Sequence, residues 1–450
     1  MAKPFHLLEV FMQDPTLIET CIARRQQLAS QLAPGIVIIP TGQEIIRNAD
    51  TTYPFRFDSS FYYLTGFTEP DAVFVQIIGE QKTENILFCR PKDEEREIWD
   101  GFRFGPAAAA NTFGFDAAYS LEELDSKMVE LLKNQPRIYY PLAKEMRWDR
   151  QINRWLSSVR ALVRTGITAP NTVVDIRSEL DEMRLIKDRF EAGILRKAGS
   201  INAQAHIRAM QFTQPGQFEY QVEAEILHDY YRQGSRFPAY SSIVAGGANA
   251  CVLHYGENNG QLRDGDLLLI DAGCEVQGYA SDITRTFPVN GKFSGEQKAV
   301  YEITLAAQYA ALEQCRAGST WNAPHDAATR VLAQGMLDLG LLKGSLTEVL
   351  ETESYRQFYM HRTGHWMGLD VHDVGAYKVG GQWRELKPGM VMTVEPGFYI
   401  RPAANVPKAF ENIGIRIEDD VMITETGHEN LTASCPKTVA EIEATMAAGH

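Results

Sequence analysis

Leu267-Leu-Leu-Ile-Asp271-Ala-Gly-Cys-Glu-Val-Gln-Gly-Tyr-Ala-Ser-Asp282-Ile-Thr-Arg-Thr-Phe287 sets the fold of the second half of this chain. Four consecutive aliphatic residues specify a buried strand. The acid that ends it is out of place there, because an unpaired buried carboxylate is costly, and a cation partner is the natural explanation. The run from Ala280 to Val289 reads as the antiparallel return strand. With a two-residue loop at Val276-Gln277, beside Gly278, Asp271 and Asp282 would lie directly opposite each other on one face, their Cβ atoms about 5 Å apart. Two carboxylates so placed could both grip a pair of divalent ions roughly 3.5–4 Å apart.

Downstream, His361-Arg-Thr-Gly-His365-Trp-Met-Gly-Leu-Asp-Val-His372-Asp-Val-Gly gathers three of the chain's ten histidines. In Leu386-Lys-Pro-Gly-Met-Val-Met-Thr-Val-Glu395-Pro-Gly-Phe-Tyr an acid again ends an apolar strand, and Pro-Gly turns the chain directly after it. Ile413-Gly-Ile-Arg416-Ile-Glu418-Asp-Asp has period two, so Arg416 and Glu418 share one face while Ile415 and Ile417 share the other. An arginine beside a metal-binding carboxylate would hold its orientation. Any one of these acids alone is ordinarily a turn residue, and a lone histidine is ordinarily a satisfied or exposed side chain. Four acids at strand ends, a histidine cluster and an arginine two residues from an acid together point to a carboxylate-rich metal site.

The 450 residues make two domains' worth of chain. Ile36 to Pro40, Val73 to Ile78, Ile86 to Cys89 and Arg137 to Tyr140 read as strands and Leu121 to Lys133 as a helix, an α/β pattern over residues 1–175. Thr168-Ala-Pro-Asn-Thr reads as a connection. From Asp175 a long helical region begins, in which Phe190, Ile194, Ala198, Ile201, Ala205 and Ala209 form one apolar face before Pro215-Gly216. Further helices are expected from Glu219 to Arg232 and from Gly295 to Cys315. Strand pairs follow: Leu267 to Gly273 with Ala280 to Val289, and Val391 to Ile400 with Ile413 to Thr424. Residues 176–450 are therefore expected to form an α+β domain. The net charge of −14 argues against nucleic acid or anionic membrane as a partner of the whole chain. Six scattered cysteines without a C-x-x-C pair suit a reducing compartment. The start, Met1-Ala-Lys-Pro-Phe-His-Leu-Leu-Glu-Val-Phe, carries an acid where a secretory signal needs an apolar core. No run of eighteen apolar residues occurs. A cytoplasmic location is the expectation.

Asp271, Asp282, His365, Glu395 and Glu418, with their flanking sequences, resemble the five ligands of the metallopeptidases with the pita-bread (creatinase/aminopeptidase-like) fold. That family includes methionine aminopeptidase, Xaa-Pro dipeptidase (prolidase) and Xaa-Pro aminopeptidase (aminopeptidase P). Asp-Ala-Gly-Cys-Glu, Gly-Tyr-Ala-Ser-Asp-Ile-Thr-Arg-Thr-Phe-Pro-Val, His-Trp-Met-Gly-Leu-Asp-Val-His-Asp-Val-Gly and Thr-Val-Glu-Pro-Gly are similar to the bacterial aminopeptidase P signatures. Tyr53-Pro-Phe-Arg-Phe-Asp-Ser-Ser-Phe-Tyr-Tyr-Leu-Thr-Gly-Phe-Thr-Glu-Pro-Asp-Ala-Val73 and Glu97-Ile-Trp99 resemble its N-terminal domain, which methionine aminopeptidases lack. One departure is Arg362-Thr363-Gly364, where a more apolar filler is expected between the two histidines.

The resemblance implies an α/β N-terminal domain followed by an α+β pita-bread catalytic domain. It also implies two divalent ions held by Asp271, Asp282, His365, Glu395 and Glu418. An oxygen-rich set with one imidazole suits manganese better than zinc. It implies further that His254, His361 and His372 line the site, to hydrogen-bond the tetrahedral intermediate, pass a proton to the leaving nitrogen and hold the proline side. Arg416 would orient a metal carboxylate, and Glu395 would take the proton of the nucleophile. The implied reaction is hydrolysis of the bond between an N-terminal residue and a following proline, in a dimer or tetramer acting on peptides with proline second. Prolidase activity is the alternative. A metal-free binding protein or a creatinase-like hydrolase would call for substitutions among the five ligands, and none is present.

Overall fold

The computed structural model describes residues 14–449, so the stretch Met1 to Phe11 lies outside the described residues. The chain divides after Met183 into two units. That point falls inside the helix Arg177–Leu185 instead of at the 175/176 boundary expected above. The reason is local: the start of this helix belongs with the first unit, where the Tyr63 hydroxyl donates to the Met183 carbonyl (3.0 Å).

The first unit is built on a six-stranded mixed sheet: β1 (Gly35–Pro40), β2 (Val73–Ile78), β3 (Thr83–Cys89), β4 (Ala117–Ser120), β5 (Arg137–Tyr140) and β6 (Thr172–Asp175), in the order β4-β3-β2-β1-β5-β6. β1–β2 and β2–β3 run antiparallel and the other neighbours parallel. All six residues of β1 are buried, as expected of a central strand covered on both faces. Trp148, Ile152, Trp155 and Val159 recur at helical spacing along Met146–Arg160 and pack onto Ile36, Ile38, Val73 and Val75. The helix expected over Leu121 to Lys133 is a 3₁₀ turn, Leu121–Glu123, capped by Ser120, followed by an α-helix, Leu124–Leu131.

In the second unit the long helical region breaks at Ile186-Lys187-Asp188, because Asp188 caps a new helix, Arg189–Phe212, through a capping box with Glu191. Ala198, Ile201, Ala205 and Ala209 of this helix are buried in one core with Leu268, Ile270, Ile283 and Phe287. Those last four come from β8 (Leu267–Ala272) and β11 (Ile283–Pro288), which pair antiparallel, with β7 (Ile243–Gly246) on the other side of β8. A short hairpin, β9 (Cys274–Val276) and β10 (Tyr279–Ala280), closes their far end. Its loop is Gln277-Gly278, with φ of 50° and 84°, and not the Val276-Gln277 loop expected from sequence. A two-residue hairpin turn of this kind needs positive φ at both positions, so Gly278 belongs inside it.

This correction changes the register. Asp271 pairs with Thr284, and Asp282 lies diagonally across the pair. Moving the loop by one residue preserves parity, so both carboxylates still share a face.

The later strands are β12 (Val391–Val394), β13 (Gly397–Ile400), β14 (Ile413–Arg416), β15 (Asp419–Ile423) and β16 (His428–Asn430). β12 pairs with β15, which pairs with β16, and β13 pairs with β14. A bridge between Thr284 and Glu418 joins these strands to the β8–β11 pair. The third helix expected, Gly295 to Cys315, ends at Leu312.

Candidate metal centre and active-site cavity

Backbone hydrogen bonds draw the scattered motifs together. Glu418 N–H donates to the Thr284 carbonyl (3.0 Å), Thr393 N–H to the His365 carbonyl (3.0 Å) and Glu395 N–H to the Thr363 carbonyl (2.9 Å). Two glycines permit these approaches. A Cβ on Gly273, at the corner between β8 and β9, would meet the Ser281 carbonyl at 1.9 Å, and one on Gly364 would meet the Thr393 carbonyl at 2.2 Å.

The result is a cavity of about 490 Å³ lined by all nine residues singled out from sequence: His254, Asp271, Asp282, His361, His365, His372, Glu395, Arg416 and Glu418. Ligand atoms of Asp282, His365 and Glu418 lie within 4.8 Å of one another. His365 Nε2 is 3.5 Å from Asp282 Oδ2 and 3.8 Å from Glu395 Oε1. Asp271 joins them from β8: its Oδ1 is 2.5 Å from the Tyr240 hydroxyl, which also contacts Asp282 Oδ1.

Two of the acids are held from behind, and a backbone bond fixes a third. Arg416 Nη2 donates to Asp271 Oδ2 (2.6 Å), and Thr284 Oγ1 donates to Glu418 Oε2 (2.6 Å). The Asp282 N–H donates to Asp420 Oδ2 (3.0 Å).

Four carboxylates in one buried pocket need positive charge. Burial raises Glu418 well above the usual carboxylate range, and repulsion from Asp282, Glu395 and Asp271 adds to it. Burial lifts Glu395 to about 7 against the pull of His365 and Arg416. It raises Asp282 too, opposed by the hydrogen bond from His365 and reinforced by Asp271. For His365, burial lowers the pKa, but Asp282 and Glu395 outweigh it and bring the imidazole to about 9. Among the described residues, Arg416 is the one arginine or lysine paired with any of the four acids. Acids gathered this way ionise together only beside cations. Oxygen donors with one imidazole are the chemistry of a divalent-ion site, so the residues present fit the group.

The other histidines are distinct from this cluster. His361 is held neutral: burial lowers it to about 3, and the Arg416 charge adds to the effect. Its Nδ1–H donates to the Arg362 carbonyl (2.7 Å), and its Nε2 lies 2.9 Å from the Tyr399 hydroxyl. That hydroxyl also accepts from Arg416 Nη1 (2.9 Å). His372 stacks edge-on against His365 with ring centres 4.2 Å apart; burial, then the neighbouring His365 and His254, lowers it. His254 lies on the cavity wall.

Sequence reasoning missed Tyr240, Thr284, Tyr399 and Asp420. Tyr399 and Asp420 stand inside the quoted Glu395 and Glu418 motifs, so their positions were visible although their partners were not. Tyr240 sits in Ala-Tyr-Ser-Ser with no acid or periodicity to mark it.

Comparison with known proteins agrees with this architecture. A family model described as metallopeptidase family M24 matches residues 193–425, and one described as aminopeptidase P, N-terminal domain, matches residues 21–139. The chain is 47% identical to the Xaa-Pro aminopeptidase of Escherichia coli (strain K12), over 95% of this chain and 97% of that one. It is 46% identical to the Xaa-Pro aminopeptidase of Haemophilus influenzae, over 94% and 96%. Its structure superimposes on Pseudomonas aeruginosa aminopeptidase PepP with a TM-score of 0.95 and 48% identity, covering 98% and 99% of the two chains. A substrate complex of an Escherichia coli aminopeptidase P variant matches with a TM-score of 0.94 and 45% identity, over 96% and 98%. With two family models, near-full-length relatives and a superimposable fold in agreement, the chain belongs to metallopeptidase family M24, with an aminopeptidase P N-terminal domain and a catalytic domain of the pita-bread fold.

Proposed function

We propose that this chain is a dinuclear, manganese-dependent Xaa-Pro aminopeptidase whose ions are held by Asp271, Asp282, His365, Glu395 and Glu418. The observation that carries this reading is the meeting of those five side chains in one cavity with His254, His361 and His372. When bound, divalent ions supply Lewis acidity and make water nucleophilic near neutral pH.

The chain's own residues do the remaining work. Glu395, whose carboxylate lies in the cavity 3.8 Å from His365 Nε2, takes the proton of the attacking water. His254, His361 and His372 line the cavity, and among them hydrogen-bond the tetrahedral species, pass a proton toward the leaving nitrogen and hold the proline side. Arg416 fixes Asp271 and, through Tyr399, the His361 ring. The scissile nitrogen belongs to proline and carries no N–H, so recognition falls to the pocket around that ring, for which His254 and His361 are the assigned walls.

The six cysteines are buried and form no disulfide, in keeping with a reducing, cytoplasmic setting. Among the described residues no helix is long and apolar enough to cross a membrane. Ile98 and Trp99 are 81% and 83% exposed on the first unit, and apolar surface of that kind supports a homo-oligomer, a dimer or tetramer. Elemental analysis of the active, dialysed enzyme tests the metal reading: two divalent ions per chain are expected. Full activity with one ion per chain overturns the dinuclear assignment.

A further inference from the structure

Arg362 stands between His361 and His365, at the one place where the sequence departs from the apolar filler expected there, and its side chain lines the catalytic cavity. Two contacts fix it. A guanidinium nitrogen donates to the Asn322 side-chain carbonyl, and the guanidinium lies over the Trp383 ring, 5.0 Å from its centre. Lys378 Nζ lies 4.3 Å from the centre of the same ring. The contacts of both cations are a neutral amide and an indole, and among the described residues no carboxylate pairs with either.

The loop beneath is anchored separately. Thr363 is buried, with its hydroxyl 2.8 Å from His325 Nδ1 and 2.5 Å from the Tyr359 hydroxyl. Gly364 backs onto Thr393 with no room for a side chain. The loop therefore does not need the Arg362 charge to hold its shape.

We propose that Arg362 is a specificity residue: it recognises a carboxylate on the peptide beyond the scissile bond, either an acidic side chain or the chain end. The inference rests on the Xaa-Pro aminopeptidase reading above and names a substrate class for it. Its logic is positional. The Arg362 carbonyl accepts a hydrogen bond from His361 Nδ1, so the residue adjoins the reacting centre. An extended peptide advances roughly 3.3 Å per residue, which brings the residue after the proline toward the exposed guanidinium on the cavity wall. A guanidinium fixed by an amide and an indole is pre-organised, loses little freedom on binding a carboxylate, and matches it with two parallel N–H donors. Lys378 adds positive charge at the same indole.

The test compares kcat/KM for C-terminally amidated Ala-Pro-Glu, Ala-Pro-Gln and Ala-Pro-Lys, and for Ala-Pro-Gln as the free acid. One of two ratios, Glu over Gln among the amides or free acid over amide for Ala-Pro-Gln, should reach about three- to tenfold, the size of a partly exposed charge-assisted pair, with the lysine peptide poorest. A gain for the free acid over the amide assigns the preference to the chain end, and a gain for Glu over Gln among the amides assigns it to the side chain. Arg362→Gln should bring these ratios close to one, and Arg362→Lys should keep part of them. The ratios are internal to each enzyme preparation, so a general loss of activity does not obscure them. Added salt should shrink the wild-type ratios independently of any variant. Ratios near one in the wild-type enzyme, or ratios that survive Arg362→Gln, overturn the proposal. Failure to cleave any of these peptides would instead contradict the aminopeptidase reading beneath it.

Discussion

The Tyr240 hydroxyl lies between the carboxylates of Asp271 and Asp282, 2.5 Å from Asp271 Oδ1 and in contact with Asp282 Oδ1. Burial, then the two aspartates, keeps this phenol far above its ordinary pKa, so it remains a hydrogen-bond donor. It can donate its single proton to one of them at a time, and it spaces two like charges that would otherwise repel. Tyr240→Phe should leave the fold intact and weaken metal binding by about 10- to 100-fold, the range for losing a partner that orients a ligand. A competition titration with a metal-sensitive dye gives the number, and unchanged affinity would remove Tyr240 from the site.

Chelation should abolish activity, and divalent manganese should restore it. Asp282→Asn should reduce bound metal by elemental analysis, because an amide is a neutral and weaker ligand. Full turnover by metal-free protein would contradict the metal assignment.

His365 and His361 should separate cleanly. His365→Ala is expected to lose both metal and activity. His361→Ala should retain its metal while kcat drops by roughly 10²–10⁴, the cost of a lost proton relay or transition-state hydrogen bond. Metal loss in His361→Ala would show that it is a ligand.

Asp419, next to Glu418, contributes stability that acid removes. Burial alone would raise its pKa, but Arg285 Nη2 and Lys437 Nζ, each 2.6 Å from a carboxylate oxygen, outweigh burial and hold it well below the usual range. A depressed folded-state pKa means that the unfolded chain binds the proton more readily. Its stabilisation is therefore fully present above the unfolded pKa of about 3.9 and fades as pH falls toward the folded value. Asp419→Asn leaves Arg285 buried without its partner and should cost about 3–5 kcal/mol at pH 7. Thermal midpoints measured from pH 7 down to 3 should show the gap between wild type and variant narrowing with acid; a constant gap would contradict the linkage.

Strand β8 and Asp271 near its end were legible because four aliphatics followed by an acid can satisfy burial in few ways. The partner strand was legible too, but its register was not. Only the positive-φ requirement at Gln277-Gly278 fixes the loop, and Asp271 therefore faces Thr284. That Glu418 meets Thr284, or that Tyr240 reaches two aspartates, depends on contacts between residues far apart in sequence, which no local pattern encodes. The break at Asp188 is readable from Asp188 and Glu191 as a capping box.

An aminopeptidase for Xaa-Pro bonds needs an open exit beyond the proline. A strict dipeptidase must instead bind the free carboxylate of the proline, with a cation or a blocked exit. Extra residues add contacts along the cleft, some usable at the transition state, whereas alanine in the second position forfeits apolar contact in the proline pocket. The measurement is kcat/KM for Ala-Pro, Ala-Pro-Ala and Ala-Ala-Ala under one manganese condition. Ala-Pro-Ala should be cleaved at least as efficiently as Ala-Pro, and Ala-Ala-Ala should be much poorer. Cleavage confined to Ala-Pro would rule out an open exit and leave a dipeptidase built on the same metal site.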